Sequence, residues 1–497
     1  MEFLSYAAQL FTPQNLLWLT IGATVGVVLG ALPGMSADTG IGIFLPLTFA
    51  LPPVTALICL GAIYVCASYG GNITAVLVNT PGTSDSLFMV FDGYPMTKKG
   101  EGMKAIGTTT ISAFIGGVVG CIALLFIAPP LARVATAFGP LELFLTSMMG
   151  IIIIIGIVKD RALKGLMSAM LGFLSALIGV DGITGVTRFS FGVAGMYDEL
   201  PLLPVVLGMF AFSQVLTLIA ENSAQIVISD DAVKKSPFLN MKEMKYIGFE
   251  TLRASVIGTV VGIIPAAGTT VAAGISYTLA QNGDKSDIKF GEGNPKGLAV
   301  VSAANNAVVG GSLVPLLTLG IPGNGTAAIF LGGLLIHGLA PGSQLFTTHA
   351  DSAYGLLFGL LLAQFFILLF GFFGAPLYSR ITRVPSNVLI PVIAVLCVLG
   401  AYSYRKLAFD MFVALFFGIV GYYMSKANIP MAPFVLAFVL GGQCEISWRR
   451  AWMLMKNDFV GYWAHPLPLA LLAIDLFMLI WPFLPSKKNN KSETPTV

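Results

Sequence analysis

The residue types best suited to chemistry in this chain are hydroxyls, amides and carboxylates that follow proline and glycine inside apolar sequence. Ser36, Asp38 and Thr39 come directly after Pro33-Gly34. If a helix restarts after such a break, its first amides and positive dipole end point into the break and can bind an anionic group such as a carboxylate. The candidate ligand-binding residues of this kind are Gly34, Ser36, Thr39, Pro81, Gly82, Thr83, Ser84, Gly268, Thr269, Thr270, Pro322, Gly323, Asn324 and Thr326.

Carboxylate and amide side chains at the same breaks could hold a cation. An acidic residue inside membrane-grade apolar sequence is a candidate for ion or proton coupling, and Asp38 is one. Unwound backbone carbonyls helped by an asparagine amide could coordinate sodium, for which Asn79 and Asn306 are the candidates. The predicted ion-coupling residues are therefore Asp38, Asn72, Asn79, Asn305 and Asn306.

A purely structural interpretation of these residues stays open. Each proline could simply kink a packed helix, with Ser and Thr bonding to their own backbone. Asn305 and Asn306 could form a hydrogen bond between helices that holds a bundle together. Because the breaks occur in two related pairs, we favour a binding site over this interpretation.

The breaks recur in the two halves of the chain. Gly26 and Gly30 are repeated as Gly258 and Gly262 at a constant offset of 232 residues. We interpret this as an internal duplication, with residues 16–220 as the first repeat and 252–442 as the second. The remaining parts are an N-terminal segment 1–15, a polar linker 221–251, and a C-terminal segment 443–497 with a final membrane helix and a polar tail.

Composition assigns the chain to the membrane. Hydrophobic residues make up 56% and charged residues 10%, against roughly 25% charged residues in an ordinary soluble domain. Several apolar runs approach the roughly 20 residues that a membrane-spanning helix needs, and period-two alternation is absent. The sequence thus predicts an all-α polytopic membrane protein with about 10–14 membrane segments. A net charge of +3 gives no indication of nucleic acid binding.

The distribution of basic residues predicts that the two repeats are inverted. No Lys or Arg precedes the first repeat, whereas Lys234, Lys235, Lys242 and Lys245 precede the second. By the positive-inside rule the two repeats then begin on opposite faces, with the linker in the cytoplasm. Residues 430–457 are less clear, and a re-entrant segment there stays open. An inverted repeat with broken helices and re-entrant hairpins is the architecture of secondary transporters.

The motifs together resemble the large membrane subunit of the tripartite tricarboxylate transporters, the TctA family. The resemblance extends from about residue 16 to about 455, and further matching stretches include Arg188 to Gly192 and Leu335 to Gly342. The motifs that carry it are Gly70-Gly71-Asn72, Asn79-Thr80-Pro81-Gly82-Thr83, Asp92-Gly93-Tyr94-Pro95-Met96, Ala304-Asn305-Asn306-Ala307 and Leu317-Thr318-Leu319-Gly320-Ile321-Pro322-Gly323.

The resemblance implies a multi-pass transporter of the bacterial inner membrane that takes up organic carboxylates. It implies two protein partners, a periplasmic solute-binding protein and a small membrane subunit of about four helices. It also implies coupling to an ion gradient, commonly sodium, and no other cofactor. The chain departs from the family pattern at Pro265-Ala266-Ala267-Gly268, at Val301-Ser302 and at Pro81–Ser86, so the sequence does not identify the carboxylate as citrate.

Three other functions are weighed against this one. An anion channel would need a continuous polar lining, whereas the polar residues here are clustered. A carrier that works without a binding protein would share the same site. An enzyme would need a nucleophile with a base or a set of metal ligands, yet the histidines are only His337, His349 and His465, and no His-Glu-x-x-His occurs. Alternating access is the expected mechanism, by sliding or by rocking of one part against another.

Overall fold

The chain folds almost entirely into helices. A computed structural model describes residues 2–32, 35–79, 86–134, 138–157, 162–181, 183–197, 199–221, 237–264, 268–374, 386–456 and 466–480. Eight of the helices described are long and apolar enough to cross a membrane. They are Pro13–Gly30, Pro53–Leu77, Gly102–Arg133, Leu202–Ala220, Met241–Ile263, Pro295–Leu319, Ala350–Phe373 and Ala408–Lys426. The protein is therefore an all-α polytopic membrane protein, as the sequence predicts.

The first half of the chain contains helices and one short β-hairpin of two strands among its described residues. Its elements are α1 (Glu2–Leu10), α2 (Pro13–Gly30), α3 (Ala37–Thr48), α4 (Pro53–Val78), α5 (Met89–Lys98), α6 (Gly102–Val134), α7 (Pro140–Ile157), α8 (Ala162–Ala176), β1 (Gly179–Val180), β2 (Thr187–Arg188), a 3-10 turn (Ala194–Met196), α9 (Leu202–Val206), a π-helix (Leu207–Phe212) and α10 (Ser213–Glu221). β1 and β2 pair antiparallel.

In the described part of the second half, all of the regular elements are helical. They are α11 (Met241–Ile263), α12 (Gly268–Gly283), α13 (Pro295–Leu319), α14 (Gly325–Ile336), α15 (Ser343–Thr347), α16 (Ala350–Phe373), α17 (Ser386–Arg405), α18 (Ala408–Lys426), α19 (Ala432–Met455) and α20 (Pro466–Ile480). α19 is one continuous helix, so the re-entrant alternative for residues 430–457 is wrong within 432–455.

Two central helices are built to accept close neighbours. The most apolar windows of α4 and α13 are 94% and 100% buried, so these two helices form the core of the bundle. Gly22 and Gly30 of α2 lie against Cys59 and Ala67 of α4, in the same order along both helices. Small residues spaced by four let helix backbones approach where lipid gives no hydrophobic drive for association. α2 and α4 therefore run parallel, and α3 returns between them.

The second half has the same arrangement around α13. Gly258 and Gly262 of α11 lie against Ala304 and Gly311 of α13, so these two helices also run parallel, and α12 returns between them. α6 packs on another side of α13, where Gly116 meets Ala303. The two units have the same order of elements, and the duplication of 16–220 and 252–442 stays a prediction.

The two ends of the bundle are joined by different polar contacts. Lys104 at the start of α6 forms a salt bridge of 2.7 Å with Glu243 at the start of α11. Lys99 Nζ donates to the Glu292 carbonyl at 2.6 Å, shortly before α13 begins. We call this the lysine-rich end. At the opposite end, Thr55 near the start of α4 donates to Asn15 near the start of α2 at 2.6 Å.

Replacing Gly258 by alanine tests the close contact between α11 and α13. An ideal Cβ there would lie 2.8 Å from Ala304 Cα, so the two helices must move apart. We expect Gly258→Ala to lower the free energy of unfolding by about 1–3 kcal/mol. Gly248→Ala on the same helix, where the Cβ meets open space, should preserve or raise stability because alanine is the better helix former. Thermal unfolding in detergent compares the two, and equal melting temperatures would contradict this packing.

Candidate functional site

Two short helices begin at the same point inside the bundle. Thr326 Oγ1, in the first turn of α14, donates a hydrogen bond to the carboxylate of Asp38, in the first turn of α3. At the other ends of these helices, Thr48 Oγ1 and His337 Nε2 lie 3.3 Å apart. α3 and α14 therefore run side by side in the same direction. The first turns of the two helices, with their positive dipole ends, meet at one place, which favours a negatively charged ligand there.

Side chains cap the two helix starts and hold them in position. Ser36 Oγ accepts from the Thr39 amide at 3.4 Å, and Asn324 Oδ1 accepts from the Ala327 amide at 2.8 Å. Asp38 and Ser36 are partly exposed, whereas Thr39, Asn324 and Thr326 are buried. Each cap satisfies one of the first amides of its helix. The site thus combines donors held in place with a partly exposed carboxylate.

A buried polar group on each central helix fixes the start of α14. The Tyr64 hydroxyl of α4 lies 2.9 Å from Asn324 Oδ1, 2.7 Å from Asn324 Nδ2 and 3.0 Å from Ser312 Oγ of α13. Gly323 packs directly on Ser312, where an ideal Cβ would come within 2.7 Å of Ser312 Cα. This contact places the predicted residues Pro322 and Gly323 in the core, next to the helix start. Sequence reasoning missed Tyr64 and Ser312, whose only signal is a polar group within an apolar run.

The predicted residues of the second repeat begin α12. Gly268 has a left-handed backbone, with φ +72°, and starts the helix, and Thr269 is buried while Thr270 is partly exposed. Further along, Gly274 lies against the Phe88 ring, just before α5. α12 and α5 thus form a second helix pair. The predicted residues Gly34, Pro81, Gly82, Thr83 and Ser84 lie outside the described residues.

The predicted ion-coupling asparagines fall into two groups. Asn72 of α4 and Asn305 and Asn306 of α13 are at most 1% exposed. Among the residues that the structure describes, the side-chain oxygen and nitrogen of Asn72 and of Asn306 have no hydrogen-bond partner. A buried amide without a partner costs about 1–3 kcal/mol, so an ion or water bound there would stabilise it. Asn79, in contrast, is exposed and caps the end of α4 in a left-handed conformation, with φ 58°.

Charged side chains at the opposite end pair with one another. Arg188 donates to Glu445 at 2.7 Å and 2.9 Å, and Arg449 donates to Asp181 at 2.6 Å. The Arg449 guanidinium and the Ile183 amide hold the pKa of Asp181 well below its usual range. Buried Asp410 accepts from Arg405 at 2.6 Å. These pairs join the loop after α8 and the end of α17 to their neighbours, and they lie outside the site.

A cavity lies beside the last turn of α14, at the opposite end. It measures about 310 Å³, and its lining includes Glu199, Leu335, Tyr404 and Gly442. The Arg405 guanidinium donates to the Glu199 carbonyl at 3.3 Å, which joins two of the loops around it. A space of this size next to α14 could admit a small solute from that end of the bundle.

Removing the Tyr64 hydroxyl tests how the start of α14 is held. Tyr64→Phe preserves the ring and deletes the hydrogen bonds to Asn324 and Ser312, so we expect a loss of about 0.5–1.5 kcal/mol in the free energy of unfolding. Tyr423→Phe is the matched control, because Tyr423 is 62% exposed. Thermal unfolding of both purified variants measures the difference. A Tyr64→Phe variant as stable as the control would mean that this network does not hold the helix.

Comparisons with known proteins match nearly the whole chain. Residues 16–436 match the family described as the Tripartite tricarboxylate transporter TctA family. One similar protein, from Agrobacterium vitis, is named "Uncharacterized 52.8 kDa protein in TAR-I ttuC' 3'region" and is 31% identical over 484 residues, 97% of this chain and 96% of that protein. Another Agrobacterium vitis protein, "Uncharacterized protein in TAR-II ttuC' 3'region", is 29% identical over 236 residues, 48% of this chain and 98% of that protein. No solved structure matches the chain.

Proposed function

The chain belongs to the tripartite tricarboxylate transporter TctA family, and on that premise we propose that it imports an organic di- or tricarboxylate by symport with sodium. The family is one of transporters, and the chain is the large membrane subunit of such a system. The observation that supports a carboxylate as the ligand is the meeting of α3 and α14 at their positive ends, where Thr326 contacts Asp38.

The proposed substrate site lies at the starts of α3, α14 and α12. Ser36 and Thr39 offer hydroxyls, and the first turns offer backbone amides, which together suit a carboxylate group. The Thr326 hydroxyl, which donates to Asp38, joins the two helix starts. The Thr269 and Thr270 hydroxyls at the start of α12 would bind a second carboxylate of the same molecule. We include Thr83 and Ser84 in this site on the strength of the sequence alone.

The negative charge of Asp38 is the reason for proposing a coupling cation at this site. A substrate carboxylate near Asp38 would place two like charges together, and at about 4 Å they repel by about 4 kcal/mol at the effective dielectric of a protein surface. A sodium ion bound by Asp38 would offset this repulsion, so cation and substrate would be transported together. Buried amide oxygens on Asn72, Asn305 and Asn306 are further candidate ligands, because hard cations bind oxygen.

We propose that the protein works in the bacterial inner membrane with two partners, since the family is tripartite. A periplasmic binding protein would deliver the carboxylate, and a small membrane subunit would complete the complex. By the positive-inside rule the lysine-rich end faces the cytoplasm. The cavity beside the last turn of α14 would then lie on the periplasmic side.

Uptake by proteoliposomes that contain all three components tests the substrate site. Thr326→Val preserves the shape of the side chain and removes the hydroxyl that bonds Asp38, so we expect uptake of di- and tricarboxylates to fall by roughly tenfold or more. Thr347→Val, at an exposed threonine of α15, is the control. Full uptake by a folded Thr326→Val protein would remove the α3 and α14 starts from the transport site.

Replacing external sodium by choline tests the coupling ion. We expect the sodium-driven uptake of the unaltered protein to stop, and Asp38→Asn to lose its dependence on the sodium gradient because a ligand charge is removed. The uptake is measured with and without a protonophore. Uptake that persists in choline and collapses with the protonophore would identify protons instead of sodium. A steady ionic current without coupling would identify a channel.

A further inference from the structure

Asp92 of α5 binds four groups from the second half of the chain. Its carboxylate accepts from the Tyr277 hydroxyl at 2.8 Å and from the backbone amides of Gly291, Gly293 and Asn294 at 2.9, 3.0 and 2.7 Å. The side chain is fully buried. Hydrogen bonds to a carboxylate are the strong class, so this residue holds α12 and the segment before α13 onto α5. We call these five residues the Asp92 clasp.

Further contacts close the same seam between α5 and α12. The rings of Phe88, Phe91 and Tyr277 pack with centroids 5.7–6.0 Å apart, and Phe290 packs 5.1 Å from Tyr277. Gly297 leaves the space that the carboxylate occupies, since any Cβ there would overlap Asp92. Lys99 adds its bond to the Glu292 carbonyl at the surface. The lysine-rich end of this helix pair is therefore closed by both polar and aromatic contacts.

The α3 and α14 pair is joined differently at its own far end. There the described polar contact joins Thr48 Oγ1 and His337 Nε2, which lie 3.3 Å apart, and no carboxylate takes part in it. The cavity of about 310 Å³ lies beside the last turn of α14. The bundle thus has one helix pair closed by a buried carboxylate at the lysine-rich end, and one joined by a neutral contact beside a cavity at the opposite end.

We propose that the Asp92 clasp is the gate at the lysine-rich end, and that its opening exposes the start of α12 to that side. This inference deepens the proposed function and rests on it, because alternating access requires each end to open in turn. Thr270, Gly274 and Tyr277 are spaced by four and three residues and so share one face of α12. Gly274 and Tyr277 contact the α5 side, which places Thr270 on the seam that the clasp closes.

The clasp can act as a gate because its four hydrogen bonds form and break together. When the seam opens, three backbone amides and one phenol lose a charged acceptor at once, and water must replace it. Weakening some of these hydrogen bonds should therefore shift the equilibrium between the closed and open states without unfolding the helices. Asp92→Asn preserves the size and one carbonyl oxygen, and Tyr277→Phe removes a single donor. Both variants are milder than removal of the side chain.

Thiol labelling of Thr270→Cys in inside-out membrane vesicles tests the gate. A membrane-impermeant maleimide reports access from the lysine-rich side, and the five native cysteines are buried, so their background is low. We expect Asp92→Asn and Tyr277→Phe to raise the labelling rate at least several-fold. The matched controls are Asp287→Asn, an exposed carboxylate in the same loop, and Tyr94→Phe on α5, and both should leave the rate unchanged. Thermal unfolding confirms that each variant is folded.

An unchanged or lower labelling rate in folded Asp92→Asn and Tyr277→Phe would overturn the proposal and make the clasp a static part of the scaffold. A cleavable cross-link between Lys99→Cys and Glu292→Cys provides a second arm, which should stop uptake until the link is reduced. Uptake that continues through an intact cross-link would also contradict the gate. Labelling needs no substrate, so a positive labelling result together with no carboxylate uptake by the protein that retains Thr270 would retain the gate and reject the proposed transport function.

Discussion

A helix that begins inside a membrane has up to four backbone amides without partners in its own helix, and the hydrocarbon offers no water to bond them. α3 and α14 both begin in this way. Ser36 and Asn324 cap them, and Asp38 and Thr326 join their first turns. Because these amides can be satisfied only where the two helices meet, that point must be polar. A bound anion would accept hydrogen bonds from the backbone amides of these two first turns.

The packing of the central helices makes this meeting point possible. α14 can start in the core only because Gly323 fits against Ser312, and because glycines let α11 approach α13 closely. The Tyr64 hydroxyl then reaches Asn324 across the two halves of the chain. Small residues, which contribute little apolar surface of their own, thus decide where the polar groups lie. The close helix contacts and the site are consequences of the same glycine pattern.

Much of the fold and part of the site could be predicted from the sequence. The Pro33-Gly34 break correctly indicated that a helix starts near Ser36, because proline and glycine end a helix locally. The pairing of α3 with α14 was not predictable, since it joins residues 288 positions apart and depends on helix packing. Tyr64 was missed because one hydroxyl in an apolar run gives no periodic signal.

The surroundings of two carboxylates explain why they should differ in role. Asp92 is fully buried and receives four donors in fixed geometry, so an added cation would have to displace hydrogen bonds that hold two helices and a loop. Asp38 is partly exposed at the meeting of two positive helix ends. An exchangeable ion needs a ligand that can be reached and a site whose charge balance changes when substrate binds. Under the proposed function Asp38 would meet both conditions, whereas the hydrogen bonds of Asp92 join parts of the bundle.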